Sequence, residues 1–354
     1  MNYLYEKVIR RALFAMDAER AHHLATTTLK IVGRVGFLRG VASVICRAEE
    51  SPIRLFGLDF PNRIGLAAGM DKCAEFPSAA AALGFGHIEV GTVTPEAQKG
   101  NPQPRLFRYP RENAVVNRMG FNNDGSKVIA SRIAKSFPKG KRPIPLGINL
   151  GKGRETDIDD AALDYLKSFE ALGKHADYVT INVSSPNTQN LRSLQNADRL
   201  GPLLQTIRLA NKESSDKMGQ PEVPILLKVS PDESFRSLDI ILELVFRHGV
   251  SGIIATNTSL DRSFPSAAQC SEPGGLSGTP LKDKSTEVIR YLSKASEEKI
   301  PIIGVGGIMD AESASEKLDV GASLLQIYTG LIYKGPLLVK RLSRSISRGT
   351  SSWF

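Results

Sequence analysis

The sequence predicts a closed parallel (β/α)8 barrel, an α/β fold, preceded by an amphipathic helical extension, and three observations lead there. The chain is 354 residues long with 41% hydrophobic and 23% charged side chains, enough to bury a sizeable core as one domain. Eight short apolar runs alternate with helix-like segments, the pattern of a parallel sheet built from βα units. The residues just beyond those runs are polar at all eight ends, as expected if one rim of the barrel carries a site.

The first elements are helical. Between Asn2 and Phe14, Leu4 and Val8 share a face, with Tyr5, Ile9 and Leu13 beside them and Lys7, Arg10 and Arg11 elsewhere on the wheel. Asp17 can cap a second helix, whose apolar positions Leu24, Leu29, Ile31 and Val32 run to a break between Gly33 and Gly36. Net charge is +9, and the first 47 residues hold eight basic against three acidic side chains. That excess fits either a solvated helix face or an anionic membrane surface. Nucleic acid is disfavoured, since no aromatic-basic interleaving or reader motif accompanies it. The expected division is an extension over residues 1–44 and a barrel domain over residues 45–354.

The eight expected strands are Arg63–Ala68, His87–Thr92, Pro145–Leu150, Tyr178–Val183, Ile225–Val229, Gly252–Thr256, Ile302–Val305 and Ser323–Tyr328. Helical sequence follows, for example Ser126–Phe137, Ile158–Leu172 and Leu238–His248. The polar ends are Lys72, Thr92, Asn149, Asn182, Lys228, Thr256 with Asn257, Gly306 with Gly307, and Tyr328 with Thr329.

Several of these ends carry chemistry. Gly304-Val305-Gly306-Gly307-Ile308 and Ile327-Tyr328-Thr329-Gly330 follow strands seven and eight, where barrels hold phosphates on backbone N–H groups. Gly274-Gly275-Leu276-Ser277-Gly278 is read as a third glycine-rich turn on that side, and together they favour a phosphate-bearing cofactor. Lys228, at an apolar mouth, could form a Schiff base as in barrel aldolases or hold negative charge on a reduced cofactor ring. Asn182-Val183-Ser184-Ser185-Pro186-Asn187-Thr188 is either an Asx/Ser turn or a serine poised over a substrate held by amides. Asn117-Arg118-Met119-Gly120-Phe121-Asn122-Asn123 can offer donors to a carboxylate or imide, with Lys72 as countercharge. No G-x-S-x-G elbow occurs and no histidine lies near Ser185, which argues against a serine hydrolase. Three cysteines without C-x-x-C spacing indicate neither a disulfide framework nor a zinc site, so no metal is expected.

In order, the strings Ala67–Lys72, Asn117–Asn123, Gly147–Lys152, Asn182–Thr188, Ala255–Thr258, Gly274–Gly278, Gly304–Gly307 and Tyr328–Gly330 resemble dihydroorotate dehydrogenases over nearly the whole chain. The resemblance implies an FMN ring near Ala68, Lys72, Thr92, Asn149, Asn182, Lys228 and Thr256, with Gly278, Gly307, Tyr328 and Thr329 around its phosphate. It implies a dihydroorotate site at Lys72, Asn117, Arg118, Met119, Gly120, Phe121, Asn182, Asn187, Asn257 and Thr258. Ser185 stands where the family's base stands, and serine there marks the quinone-reducing type, whereas the soluble type carries cysteine. The helical extension is similar to the one that type lays on the membrane as a quinone tunnel, with His22, Arg108 and Tyr328 at its inner end. For His22 a plain surface role beside His23 remains open. Met70 stands where leucine is more usual, and Cys73 follows Lys72.

The resulting expectation is a flavoprotein oxidising dihydroorotate to orotate and reducing a membrane quinone in pyrimidine synthesis. With no signal peptide and no apolar run long enough to span a bilayer, we expect a protein bound peripherally to the cytoplasmic face of a bacterial inner membrane; a monomer is expected, although the sequence does not give the oligomeric state. The rivals are the same dehydrogenase using fumarate or NAD, a Schiff-base aldolase acting through Lys228, and a non-catalytic membrane-surface module.

Overall fold

The computed structural model describes residues 4–263 and 267–350; Asn2 and Tyr3 of the first expected helix lie outside them. A short hairpin, β1 (Ile53–Leu55) and β2 (Leu58–Phe60), opens the barrel domain. Eight parallel strands then close on themselves, namely β3 (Ile64–Leu66), β4 (His87–Val93), β7 (Leu146–Leu150), β8 (Tyr178–Asn182), β9 (Ile225–Val229), β10 (Gly252–Ala255), β12 (Ile302–Val305) and β13 (Ala322–Ile327). This is the TIM-barrel architecture, and the eight expected runs match its strands to within two residues at either end. Between them run β5 (Leu106–Tyr109), β6 (Ala114–Asn117) and β11 (Gly275–Gly278), which form a separate antiparallel sheet in the order β11-β6-β5.

That small sheet corrects one expectation. Gly274–Gly278 is not a free turn: Gly275–Gly278 pairs with Ala114–Asn117. The Leu276 side chain is fully buried beside Ala114 and Val116. Four residues bounded by glycines are too short for a periodic signal, so the turn signal dominated the reading.

Strand alternation builds the interior. Tyr178, Leu226, Ile254, Ile303 and Leu324 point inward and meet Phe60 of the hairpin, which seals the amino end of the barrel. Gly147 matters there: a Cβ would lie 2.1 Å from the Tyr178 ring, so only glycine lets that ring occupy the axis. The opposite strand faces pack beneath the helices α4 (Pro77–Ala82), α5 (Ser126–Ser136), α6 (Ala161–Leu172), α7 (Ala197–Met218), α8 (Phe235–Arg247), α9 (Lys282–Ala295), α10 (Ala311–Asp319) and α12 (Leu338–Thr350). A short helix, α11 (Thr329–Lys334), starts directly off β13.

The extension contains more helix than expected. A π turn at Tyr5–Ile9 leads into α1 (Arg10–Phe14), then α2 (Ala18–Arg34) and α3 (Gly36–Ile45). Asp17 caps α2 as expected, accepting from the N–H groups of Glu19 and Arg20, both at 3.0 Å. The apolar positions of α2 divide: Leu29 and Val32 pack on the core, while Leu24 and Ile31 face outward. The chain resumes after the glycine break as a third helix, α3, none of whose residues is buried. No helix of the described residues is long and apolar enough to cross a membrane.

Candidate active site

Because every barrel strand points the same way, the strand ends converge on one rim, and a cleft opens there with about 1030 Å3 of empty space up to its mouth. Register decides which side chains share a level. Asn182 sits opposite Lys228, Lys228 opposite Ile254, and Asn149 opposite both Gly91 and Thr180.

The floor is a hydrogen-bonded set of amides and hydroxyls. Thr92 Oγ1 donates to Asn149 Oδ1 at 2.5 Å, and Asn182 Nδ2 donates to the same oxygen and to Thr92 Oγ1, each at 3.0 Å. Asn257 Nδ2 donates to Ser184 Oγ at 3.0 Å and to Asn182 Oδ1 at 3.3 Å. Asn149 therefore lies just below the cleft surface, fully buried. One wall is made by the loop after β6, with Asn117, Met119, Gly120 and Phe121 facing the cleft, and Asn187 Nδ2 reaches across to Asn117 Oδ1 at 3.2 Å. Ser185 is buried at the cleft edge, and its Oγ accepts from the Asn187 backbone N–H at 3.3 Å.

The opposite wall is glycine backbone. A Cβ on Gly278 would meet Asn113 O at 2.2 Å, and one on Gly307 would meet Lys282 Cα at 2.4 Å, both at positive φ of 97° and 70°. Only glycine brings these backbones so close together beside the start of α11. Ser277 and Thr329 join across that corner, their hydroxyl oxygens 2.8 Å apart. The Thr256, Thr258 and Gln326 side chains reach the same cleft, each with a buried oxygen that lacks a protein partner.

Two lysines supply charge. Burial pushes the Lys72 ammonium down to about 8. Burial also lowers Lys228, while the buried carboxylate of Glu89 opposes that shift. Burial raises the Tyr328 phenol to about 12, so it stays a neutral donor at ordinary pH.

Ala68, Lys72, Thr92, Asn182, Lys228, Thr256, Gly278, Gly307, Tyr328, Thr329, Asn257, Thr258 and Ser185 all line this one cleft. Arg118 does not. Its guanidinium turns away to the Glu272 carboxylate at 2.9 Å and stacks over the Phe107 ring at 4.4 Å. It holds the wall loop in place from outside, because a nearby carboxylate and aromatic face satisfy the cation better than the cleft does. The three expected tunnel residues do not share one space. Tyr328 lines the main cleft, whereas His22 lines a neighbouring one that shares Lys72 and Met119 with it. Arg108 instead donates to the carbonyls of Leu13 and Met16 and covers the Phe14 ring at 4.6 Å. Burial, then the charges of Lys72 and His23, holds His22 well below its ordinary value, so the imidazole is neutral. Glu89, Ser277 and Gln326 were missed. Glu89 and Gln326 sit inside apolar runs whose average reads as plain strand, and Ser277 belongs to the strand taken for a turn.

The model of the family described as dihydroorotate dehydrogenase matches residues 52–349. The chain belongs to the dihydroorotate dehydrogenase family. Among curated relatives of that family, a protein named dihydroorotate dehydrogenase (quinone) from Neisseria meningitidis serogroup C is 45% identical over 97% of this chain and 98% of its own. Another of the same name, from Delftia acidovorans, is 44% identical over 98% of this chain and 99% of its own. Among solved structures, a dihydroorotate dehydrogenase from Eimeria tenella in complex with ferulenol superposes with a TM-score of 0.83 at 30% identity, covering 94% of this chain and 92% of that one.

Proposed function

We propose that this chain is a quinone-dependent dihydroorotate dehydrogenase that uses FMN to oxidise dihydroorotate to orotate. The observation that carries the reading is the two-sided cleft: amides and Lys72 on one side suit a carboxylate-bearing imide, and glycine backbone at a helix start on the other suits a phosphate. The residues fit an FMN. Thr256 Oγ1 and Gln326 Oε1, without protein partners, supply polar atoms for a ring edge. Gly278 and Gly307 line the cleft at positive φ, so their backbones can approach a phosphate closely. Gly278, Gly307, Tyr328 and Thr329 would hold the phosphate, and Ala68, Thr92, Asn182, Lys228 and Thr256 the ring. When bound, the flavin accepts a hydride and passes electrons to an oxidant.

The chain's own residues do the rest. Lys72 and the Asn117, Asn187 and Asn257 amides bind and orient the substrate, while Met119 and Phe121 keep water from it. Ser185 removes a proton from ring carbon C5 of dihydroorotate. A hydroxyl is a weak base, so burial of Ser185 beside a tightly bonded amide set is essential to its task. The helical extension, with its outward apolar face, sits against a quinone-bearing membrane and is joined to the barrel by Arg108.

The test is anaerobic. The purified yellow protein is mixed with dihydroorotate, flavin bleaching is followed, and quinone, fumarate or NAD is added separately. Bleaching that recovers with quinone alone supports the reading, and no bleaching of flavin-loaded protein overturns the substrate. Ser185→Ala should retain FMN and lose about 100- to 10,000-fold in bleaching rate.

A further inference from the structure

Below the cleft, inside the barrel, lies a carboxylate that the proposed chemistry does not use. Glu89 comes from the middle of β4 and is wholly buried. Four donors converge on it: Asn149 Nδ2 at 2.8 Å, Gln326 Nε2 at 3.0 Å, Thr180 Oγ1 at 3.2 Å and Tyr178 OH at 3.4 Å. Four donors and no donation in return is the pattern of an ionised carboxylate, which can only accept.

We propose that Glu89 is the positioning residue that sets the hydrogen-bonding sense of the whole cleft floor. The argument follows the hydrogen bonds outward. An acceptor-only group forces the nitrogen of the Asn149 amide toward itself, so Asn149 Oδ1 must face the cleft side. That oxygen then accepts from Thr92 Oγ1 and Asn182 Nδ2. With its nitrogen so committed, Asn182 presents Oδ1 to the Ser184 hydroxyl and to Asn257 Nδ2. Each step leaves the next amide one satisfied orientation, so a single carboxylate dictates which ends of Asn149, Asn182 and Asn257 meet a ligand. The inverted arrangement would set the Asn149 nitrogen against the Asn182 nitrogen, donor against donor, in a place with no water to relieve it. Electrostatics points the same way, since Glu89 is the negative charge that opposes the loss of the Lys228 proton in a buried setting.

This inference rests on the flavin reading above, and the experiment separates the two. Glu89→Gln keeps the shape but offers both a donor and an acceptor, so Asn149 is satisfied either way round. In flavin-loaded E89Q the reduction of flavin by dihydroorotate should slow about 10- to 100-fold. The midpoint potential of the bound flavin should move positive, because a negative charge has left the barrel interior directly beneath the cleft floor. A merely structural Glu89 would lower the melting temperature and leave the potential of the folded holoenzyme at the parent value, and that result overturns the proposal. If E89Q does not retain flavin, Glu89→Asp carries the test. It keeps the charge and withdraws it from Asn149, so slowed reduction at a parent-like potential supports the proposal and a parent-like rate overturns it. A parent protein that binds no flavin would instead overturn the functional reading.

Discussion

Lys72 shows how a single side chain ties burial to function. Removing an ammonium from water favours its neutral form, which brings its pKa down to about 8. The charged form is the one that holds a carboxylate, and it is present below that value and lost above it. We therefore expect kcat/KM for dihydroorotate, which reports the free enzyme, to fall as pH rises through about 8. Lys72→Met should lower kcat/KM throughout and abolish that alkaline limb. A limb that persists in the variant would assign it to another group. Arg118 teaches the converse at the same scale. A basic residue inside a matching string was expected to face the substrate, yet the Glu272 carboxylate and Phe107 ring claim it. Which partner a long cationic side chain chooses depends on groups that are distant in sequence.

At the scale of elements, a buried ion pair helps fasten α2 to the barrel, beside the packing of Leu29 and Val32 and the Lys30–Glu75 pair at 2.6 Å. Arg105 Nη2 donates to Glu19 Oε1 at 2.7 Å, and the Arg105 Nη1 group also donates to the carbonyls of Lys99 and Asn101. Burial raises the Glu19 carboxyl, but hydrogen bonding and charge from Arg105 outweigh it and leave the group below its ordinary value. A depressed carboxyl contributes stability above its unfolded pKa, near 4.3, and that contribution disappears as pH falls through the lower folded value. Arg105→Met strands the buried carboxylate and should cost about 3–5 kcal/mol, seen as a lower melting temperature and faster proteolysis of α2. Equal stability of variant and parent would show that the pair does not hold the helix. The β11-β6-β5 sheet was invisible at this scale because its strands are four residues long and β11 pairs with β6 across a long sequence gap.

For the whole molecule, the distribution of apolar surface is the decisive feature. Phe37 and Val44 of α3 are 78% and 75% exposed, on a helix without any buried residue, whereas the helices around the barrel bury residues in its core. Burying that surface in a lipid interface is favourable, and the basic excess of the extension adds attraction to anionic headgroups. The double variant Phe37→Glu, Val44→Glu should lose sedimentation with anionic vesicles and turnover with a membrane quinone, while flavin bleaching by dihydroorotate stays at the parent rate. Undiminished vesicle binding would place the membrane contact elsewhere.

Eight apolar runs and their polar ends were enough to reach the barrel and most of its cleft, because strand alternation and βα order are local properties that a linear pattern records. Thr92, Asn182, Ser185, Lys228 and the Gly306-Gly307 turn were legible for that reason: each sits at or within a few residues of the carboxyl end of a strand, where the architecture itself puts the site. The extension's helices were legible in part, since Asp17 marks a start, but the sequence could not say that Leu29 packs inward while Leu24 stays outside. Only the tertiary structure decided how register sets Glu89 beneath Asn149, how Gly147 makes room for Tyr178, and that Arg118 leaves the cleft. Those outcomes depend on pairs of residues brought together by closure of the barrel. A carboxylate in the middle of an apolar strand has no meaning until the donors that surround it are in place.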